Sequence, residues 1–253
     1  ITLKQSVALA LQNNYQVQGA RLSEQSAKLL QKTAFELPKT QLDMDYGQFN
    51  SRLNDTRFGA SQSFSFPTVY TNQKKLLQEN YAAAQAKTQL TQQQLKSHVS
   101  SLFYELLWLQ QKKTLLVYAD SIYRLLENKA NLRFTKGATD VLEKATAQSN
   151  RQKYTNQLQL LAKDISIRQQ QFNLLLQDSI PYVPKHDSLK IEVPASLFKT
   201  ADVAQLPAMQ WSRHQTEAAK WQWKTERSRM LPDFVLGYNN LSITGMQTSA
   251  NGT

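Results

Sequence analysis

The sequence is poor in the residues that interrupt regular structure. Its 253 residues hold seven glycines and seven prolines, and glycine stands at less than half its usual share of ~7%. Between Pro67 and Pro181 there is no proline and a single glycine, Gly137. A sandwich, a small barrel or an α/β sheet needs a turn every ~8–15 residues. That stretch excludes them and reads as very long helix. Cysteine is absent, which removes disulfides and thiolate metal sites and is compatible with an oxidising compartment. No run of ~18 apolar residues occurs, so no transmembrane helix is expected. The chain opens in ITLKQSVALA without a basic and then apolar leader; an exported form would have lost its signal or carry it upstream. Runs of one charge sign are missing too. The net charge of +11 is spread along the chain, and its densest groups, Lys74-Lys75 and Lys112-Lys113, are only pairs. That spacing fits the solvated face of long helices better than a phosphate-tracking surface, so no nucleic-acid partner is expected.

What is present is glutamine, 31 of them, with a hydrophobic fraction of 41% and a charged fraction of 19%. That is too apolar for a disordered chain. Residues 2–12 read as a short amphipathic helix with Thr2 as N-cap and Gln5 three residues on. Asn13-Asn14 breaks it. A second helix from Tyr15 to about Glu36 carries Ala20, Ala27 and Ala34 at a heptad spacing, which permits close helix approach. Leu37-Pro38 ends it. Leu42, Met44 and Tyr46 then alternate with Gln41, Asp43, Asp45 and Gly47, the period of a strand with one apolar and one polar face. After a polar segment, Phe58, Ala60, Phe64 and Phe66 alternate with Arg57, Gly59, Ser61, Ser63 and Ser65, completing a hairpin over 39–66.

Pro67 opens a helical pattern near its first turn. The hairpin of long helices covers 68–178, with its break at RFTKGATD around Gly137. The stripe includes Leu95, Val99, Phe103, Leu106, Leu116, Ile122 and Leu126 on the first arm. On the second it includes Val141, Tyr154, Leu158, Leu161 and Phe172. Thr139 or Asp140 would cap the second arm, with Glu143 following. Residues 179–204 hold three prolines and read as a loop. From Leu206 a helix runs to Met230 and stops at Leu231-Pro232. Phe234, Leu236 and Tyr238 then alternate as a strand.

The chain contains an internal duplication. Helix, Leu37-Pro38 and strand recur as helix, Leu231-Pro232 and strand. This sets a first repeat over 1–204 (helix, hairpin 39–66, helical hairpin 68–178, loop 179–204) and the start of a second over 205–253. A full second copy needs another long helical hairpin and a further strand beyond Thr253. The strands admit two placements. An outward apolar band over a polar inner face is the pattern of a transmembrane β-barrel, in which several subunits can each donate strands. Alternatively, the apolar face packs on the protein's own helices. The neighbouring rod favours the first, because it has nothing globular to cover.

Chemistry-bearing constellations are scarce. His98, His186 and His214 are far apart, with no partner at metal-ligand spacing, so no metal is expected. No glycine-rich phosphate loop exists, so no cofactor is expected. Asp43 and Asp45 share a strand face, where lumen-facing carboxylates need no catalytic role. Trp211, Trp221 and Trp223 on one helix read as core or interprotomer packing.

In this order and spacing, the motifs resemble the TolC-like outer-membrane efflux proteins over nearly the whole chain. The resemblance rests on LKQSVALALQNN, the helix ending in Leu37-Pro38 before a strand, GASQSFSFPTVY, RFTKGATDVLEKATAQ and the repeated helix–Leu-Pro–strand unit. The chain departs from the family in keeping only half of each Asn-Pro pair, at Asn14-Tyr15 and Leu206-Pro207. The resemblance implies a mainly α fold with a small β part. Each protomer would supply a long antiparallel helical hairpin to an α-barrel and strands to a shared trimeric transmembrane β-barrel, internally duplicated and truncated in its second repeat. It implies a homotrimer in the cell outer membrane, in contact with outer-membrane lipid and extending into the periplasm. Such a protein acts as a passive exit duct of a tripartite efflux system and not as an enzyme. Its partners would be a periplasmic membrane-fusion adaptor and an inner-membrane RND-type pump, separate or fused. Arg133, Gly137, Thr139, Asp140 and Leu142 match the family's periplasmic tip, where gate and adaptor contact lie. Asp140 from three copies would form a carboxylate ring near the pore axis. Asp43 and Asp45 would line the barrel lumen. The GATDVLEKATAQ turn is similar to that of the CusC-like and CzcC-like branch, which implies heavy-metal cations as substrate. The competing expectation is a soluble coiled-coil scaffold that binds partner helices. It explains the rods but not the strands with paired Leu-Pro stops.

Overall fold

A computed structural model describes residues 1–48, 54–178, 180–185 and 203–242. The centre of the expected polar loop, most of the loop expected over 179–204 and His186 lie outside the described residues. Elements follow in the order α1 (Leu3–Asn13), α2 (Tyr15–Leu30), a 3-10 turn (Gln31–Phe35), β1 (Gln41–Gly47) and β2 (Asp55–Phe64). Then come α3 (Pro67–Thr135), α4 (Val141–Leu176), a short 3-10 turn, α5 (Pro207–Ser228) and β3 (Phe234–Ser242). The breaker-free stretch forms one helix of 69 residues, with Pro67 in its first turn. The chain divides into two compact units: Ile1–Arg21 with Thr88–Val203, and Leu22–Lys87 with Ala204–Thr253.

In the first unit, α1 begins with the expected capping box. The Thr2 N–H donates to Gln5 Oε1 at 3.0 Å, and the Gln5 N–H donates to the Thr2 hydroxyl at 3.4 Å. Asn14 ends α1 with its side chain buried. Its Nδ2 donates to the Leu175 carbonyl at 3.2 Å, while its Oδ1 caps α2 by accepting from the Gln16 N–H at 3.0 Å. One polar side chain thus sets the α1–α2 bend and ties it to the end of α4. Around it lies an apolar core of Ala10, Val17, Val99, Phe103, Leu106 and Phe172. Removing each large side chain of this kind from water is worth about 1.5–3 kcal/mol.

Helices α3 and α4 run antiparallel, and the contacts between them form a ladder. Phe103 packs on Phe172, Arg168 bonds Glu105 at 2.8 Å, Thr155 donates to Asp120 at 3.1 Å, Tyr123 stacks on Tyr154, and Arg151 bonds Glu127 at 2.6 Å. Each step up one helix matches a step down the other. The core occupies only the base of this hairpin. Further out, Ile122, Leu126 and Val141 of the expected apolar stripe are exposed, as is Leu142. Two helices offer each other one face apiece, and much of the contact there is polar and aromatic, so several apolar positions stay uncovered within this unit while Leu161 is buried.

The second unit holds an antiparallel sheet ordered β1-β2-β3. Leu42 pairs with Ala60 and Ala60 with Tyr238; Met44 pairs with Phe58; Phe64 pairs with Phe234. Because paired residues share a face, Leu42, Met44, Tyr46, Phe58, Ala60, Phe64, Phe234, Leu236 and Tyr238 form one apolar surface. Gln41, Asp43, Asp45, Arg57, Ser61, Ser63 and Asn239 occupy the other, together with Val235 and Leu241, while Thr56, Gln62 and Asn240 interrupt the apolar one. The apolar surface is open: Leu42, Met44, Tyr46 and Leu236 are 69%, 75%, 70% and 70% exposed. The alternative that the strands bury this face on the chain's own helices therefore fails within this unit.

The same unit pairs the start of α3 with α5, again antiparallel. Asn72 Nδ2 donates to the Ser228 hydroxyl at 2.8 Å, Glu79 meets His214 Nδ1 at 2.8 Å, and Lys75 and Lys87 lie over the rings of Trp221 and Trp211. The three tryptophans of α5 do not pack as a core within this unit. Trp211 and Trp221 are half-buried beneath lysines, and Trp223 is exposed beside Arg227. Trp223, two positions after Trp221, lies on a different side of α5, while Trp211 and Trp221 meet Lys87 and Lys75 of α3.

Candidate functional site

Two places collect the residues singled out in the sequence. The first is the reversal between α3 and α4. Helix α3 closes with a Schellman motif: the Ala138 N–H donates to the Arg133 carbonyl at 2.8 Å and the Gly137 N–H to the Phe134 carbonyl at 3.0 Å. Gly137 has φ +71°, a left-handed conformation that glycine adopts without a Cβ penalty. Asp140 is the N-cap of α4, its Oδ1 accepting from the Glu143 N–H at 2.9 Å.

The side chain of Glu143 is the hub of this turn. Its Oε1 accepts from Arg133 Nη1 at 2.7 Å, and its other oxygen accepts from the Thr139 hydroxyl. The last turn of α3, the connecting loop and the first turn of α4 are thereby locked together. Of the five expected tip residues, Arg133, Gly137, Thr139 and Asp140 take part in this lock. Leu142 projects nearby and is exposed. Along with Tyr123, Leu126, Ala130 and Ala147 it lines a shallow groove between the helices. Sequence reasoning gave Glu143 only a capping position. Its neighbour across the turn, Arg133, was the available signal. Between Thr139 and Asp140 as candidate caps, the structure selects Asp140 for the backbone and leaves Thr139 to the Glu143 side chain.

Further along the hairpin, Arg151 is held between Glu127 and Asp120. The hydrogen bond to Glu127 raises its already high pKa, with burial opposing and the two carboxylates adding. The guanidinium is a fixed charge there. On the other side of the same hairpin, the stacked Tyr123 has its hydroxyl pKa raised, first by its hydrogen bond with Tyr154.

The second place is the polar face of the sheet. Asp43 and Asp45 both lie on it. Asp45 pairs with Arg57 at 2.8 Å, directly across the β1–β2 register. Asp43 accepts from Gln41 Nε2 at 3.2 Å. Gly59 sits between Asp43 and Asn239 in the register, and a Cβ there would lie 2.7 Å from Asn239 Oδ1. The face is mostly hydrophilic with offset charges, the character of a wetted wall, with Val235 and Leu241 as its apolar members. Among the described residues, no group of three or more His, Asp or Glu side chains is gathered for a metal ion.

No family model and no curated protein matches the sequence. Solved structures match it in fold. The chain aligns with a structure of CusC, solved to follow conformational changes accompanying folding and transmembrane channel formation. The TM-score is 0.75 at 17% identity, over 95% of this chain and 60% of that chain. It aligns with the outer membrane protein VceC of Vibrio cholerae at 0.73 and 13%, over 98% and 65%. The Campylobacter jejuni CmeC outer membrane channel gives 0.74 and 12%, over 98% and 62%. The chain has the fold of the TolC-like outer-membrane channels. It spans about three-fifths of the length of these proteins.

Proposed function

We propose that the chain is part of a passive outer-membrane exit duct, a homotrimer without enzymatic activity. Three copies would close their sheets into one β-barrel in the membrane and their helical hairpins into a tunnel in the periplasm. The observation that carries this reading is the three-stranded sheet, in which nine apolar residues dominate one open face and serine, asparagine, aspartate and arginine dominate the other. In water such a surface would aggregate; in a bilayer it is the lipid-facing side of a barrel. Shared fold with outer-membrane channels supports the same assignment. So do the exposed apolar positions along the outer hairpin, which offer further copies a packing surface. The duplicated helix–Leu-Pro–strand unit is read as the start of a second repeat of the same design.

In this reading the α3–α4 turn, with Arg133, Gly137, Thr139, Asp140 and Leu142, is the periplasmic tip that meets a membrane-fusion adaptor and narrows to a gate. An inner-membrane pump of the RND type would hand substrate to the duct and supply the energy. Asp140 keeps Oδ2 available beyond its cap contact, so three copies would present carboxylate oxygens that favour cations. Heavy-metal cations are the substrate class this ring and the CusC-like fold support.

The test uses the full-length protein expressed in a strain lacking it. Recovery as a trimer in the outer membrane, with single-channel conductance in planar bilayers, supports the reading. Asp140→Asn keeps the cap but removes the charge, and should lower cation selectivity without lowering trimer yield. Recovery solely in the soluble fraction would return the account to a scaffold that binds partner helices.

A further inference from the structure

Four basic side chains lie where α3 begins and α5 ends, next to the sheet. Lys74 and Lys75 follow Pro67 by two turns, and Lys224 and Arg227 precede β3 by two to three turns. At 1.5 Å per residue these positions lie ~10–15 Å along the helices from the strand ends. All four side chains are exposed. Three of them make cation–ring contacts, and Lys224 also acts through space on the Glu217 carboxylate. Lys75 and Lys224 lie 4.3 Å and 3.9 Å from the centroid of the same Trp221 ring. Arg227 lies 5.5 Å from the Trp223 ring, which is itself 59% exposed. By contrast Lys220 is held by Glu217 at 2.6 Å, and Arg229 by Glu226 at 3.0 Å. The Lys220 hydrogen bond also lowers the Glu217 pKa, so that pair stays ionised and neutralises itself.

Two ammonium groups sharing one indole ring are within a ~10 Å screening length of each other, so they repel through the solvent between them. The arrangement is relieved by an anion that both can reach. Tryptophans belong at the level of lipid headgroups, where an apolar ring and a polar edge are both satisfied. Lysine and arginine stems can lie along apolar surface and lift their charges by several ångströms toward that level.

We propose that Lys75, Lys224 and Arg227, with Trp221 and Trp223, form a binding surface for the headgroup of an anionic phospholipid at the helix–sheet junction. The surface selects the phosphate and negative charge of the leaflet that borders the helices, and it fixes the depth of the sheet in the membrane. This inference rests on the barrel reading proposed above.

The experiment uses the full-length protein in detergent micelles titrated with phosphatidylglycerol or phosphatidylcholine brominated on the acyl chains, read by tryptophan fluorescence quenching. Phosphatidylglycerol should quench at a lipid fraction at least ~10-fold lower than phosphatidylcholine. Loss of one cation should weaken this preference about 5-fold, and the Lys75→Gln/Lys224→Gln/Arg227→Gln variant should abolish it. Lys75→Arg and Lys224→Arg should retain it, which separates charge from folding. The Trp221→Phe/Trp223→Phe variant should lose most of the lipid-dependent signal. Equal quenching by the two lipids, an unchanged preference in the triple variant, or persistence of the signal without the two tryptophans overturns the inference while leaving the barrel intact. Displacement of the lipid by inorganic phosphate at equal concentration identifies a free-anion site and overturns the lipid assignment. A protein that reconstitutes into neither lipid overturns the barrel reading itself.

Discussion

Gly137 allows the turn between α3 and α4 to be tested in isolation. A Cβ added at this position would meet no atom within 4 Å, and φ is +71°. Gly137→Ala therefore carries no collision cost, and what remains is the price of a left-handed backbone for a residue with a Cβ. That price is about 1–2 kcal/mol. Asparagine tolerates the same conformation better, so Gly137→Asn should cost about half as much or less. The penalty falls on the two bonds that close α3, from Ala138 to Arg133 and from Gly137 to Phe134, and not on the distant core at the hairpin base. Global melting is a poor assay for so local a change. Amide hydrogen exchange of residues 137 and 138 in the full-length protein reads it directly. The alanine variant should exchange about 5- to 30-fold faster there, with unchanged protection around Phe103 and Phe172. Equal protection in wild type and Gly137→Ala, or a larger loss in Gly137→Asn than in Gly137→Ala, would refute the argument.

Asp140→Ala should destabilise the start of α4 by ~1 kcal/mol while Asp140→Asn does not, because asparagine is an equally good N-cap; exchange at the Glu143 amide reports it. Gly59→Ala should cost ~0.5–1.5 kcal/mol, the cost of turning Asn239 out of the way, and Asn239→Ala should rescue it in a double-mutant cycle of unfolding midpoints. Tyr182 donates to Asp178 at 2.9 Å, a bond that raises its pKa. The contact therefore stabilises the protein below the usual tyrosine range, and the stabilisation is lost as pH rises through the raised value. Alkaline absorbance titration should show a late-ionising tyrosine that Tyr182→Phe abolishes. Met44→Lys should cost up to ~2–4 kcal/mol of barrel stability if that face meets lipid, whereas Gln41→Lys on the opposite face should be near neutral, measured by urea-induced unfolding in lipid vesicles.

Much of this architecture was legible in a few residues. Pro38, Pro67 and Pro232 mark helix–strand junctions because proline cannot continue the ladder on its N-terminal side. Gly137 marks the turn. Alternation assigned Leu42, Met44 and Tyr46 to one face and Arg57 to the other, as the register shows. What periodicity cannot state is what covers a face. Ile122 and Leu126 were placed inside a stripe that α4 only partly reaches, and Trp211, Trp221 and Trp223 meet lysine and arginine and not one another. The last turn of the second helix winds as 3-10 over Gln31–Phe35, a change that local propensity does not announce. The role of Glu143 needed three-dimensional information, since its two oxygens serve residues ten and four positions earlier.

The central claim is that the sheet has a lipid side and a water side, and the absence of cysteine makes it directly measurable. Single cysteines placed in turn along 41–46 and 234–239 of the full-length protein, spin-labelled and reconstituted in lipid vesicles, report collision with oxygen dissolved in the bilayer or with a water-soluble nickel complex. The account predicts a period of two. Positions 42, 44, 46, 234, 236 and 238 should favour oxygen, and 41, 43, 45, 235, 237 and 239 the nickel complex. Accessibility to the nickel complex at every position, or no alternation between neighbours, would contradict it.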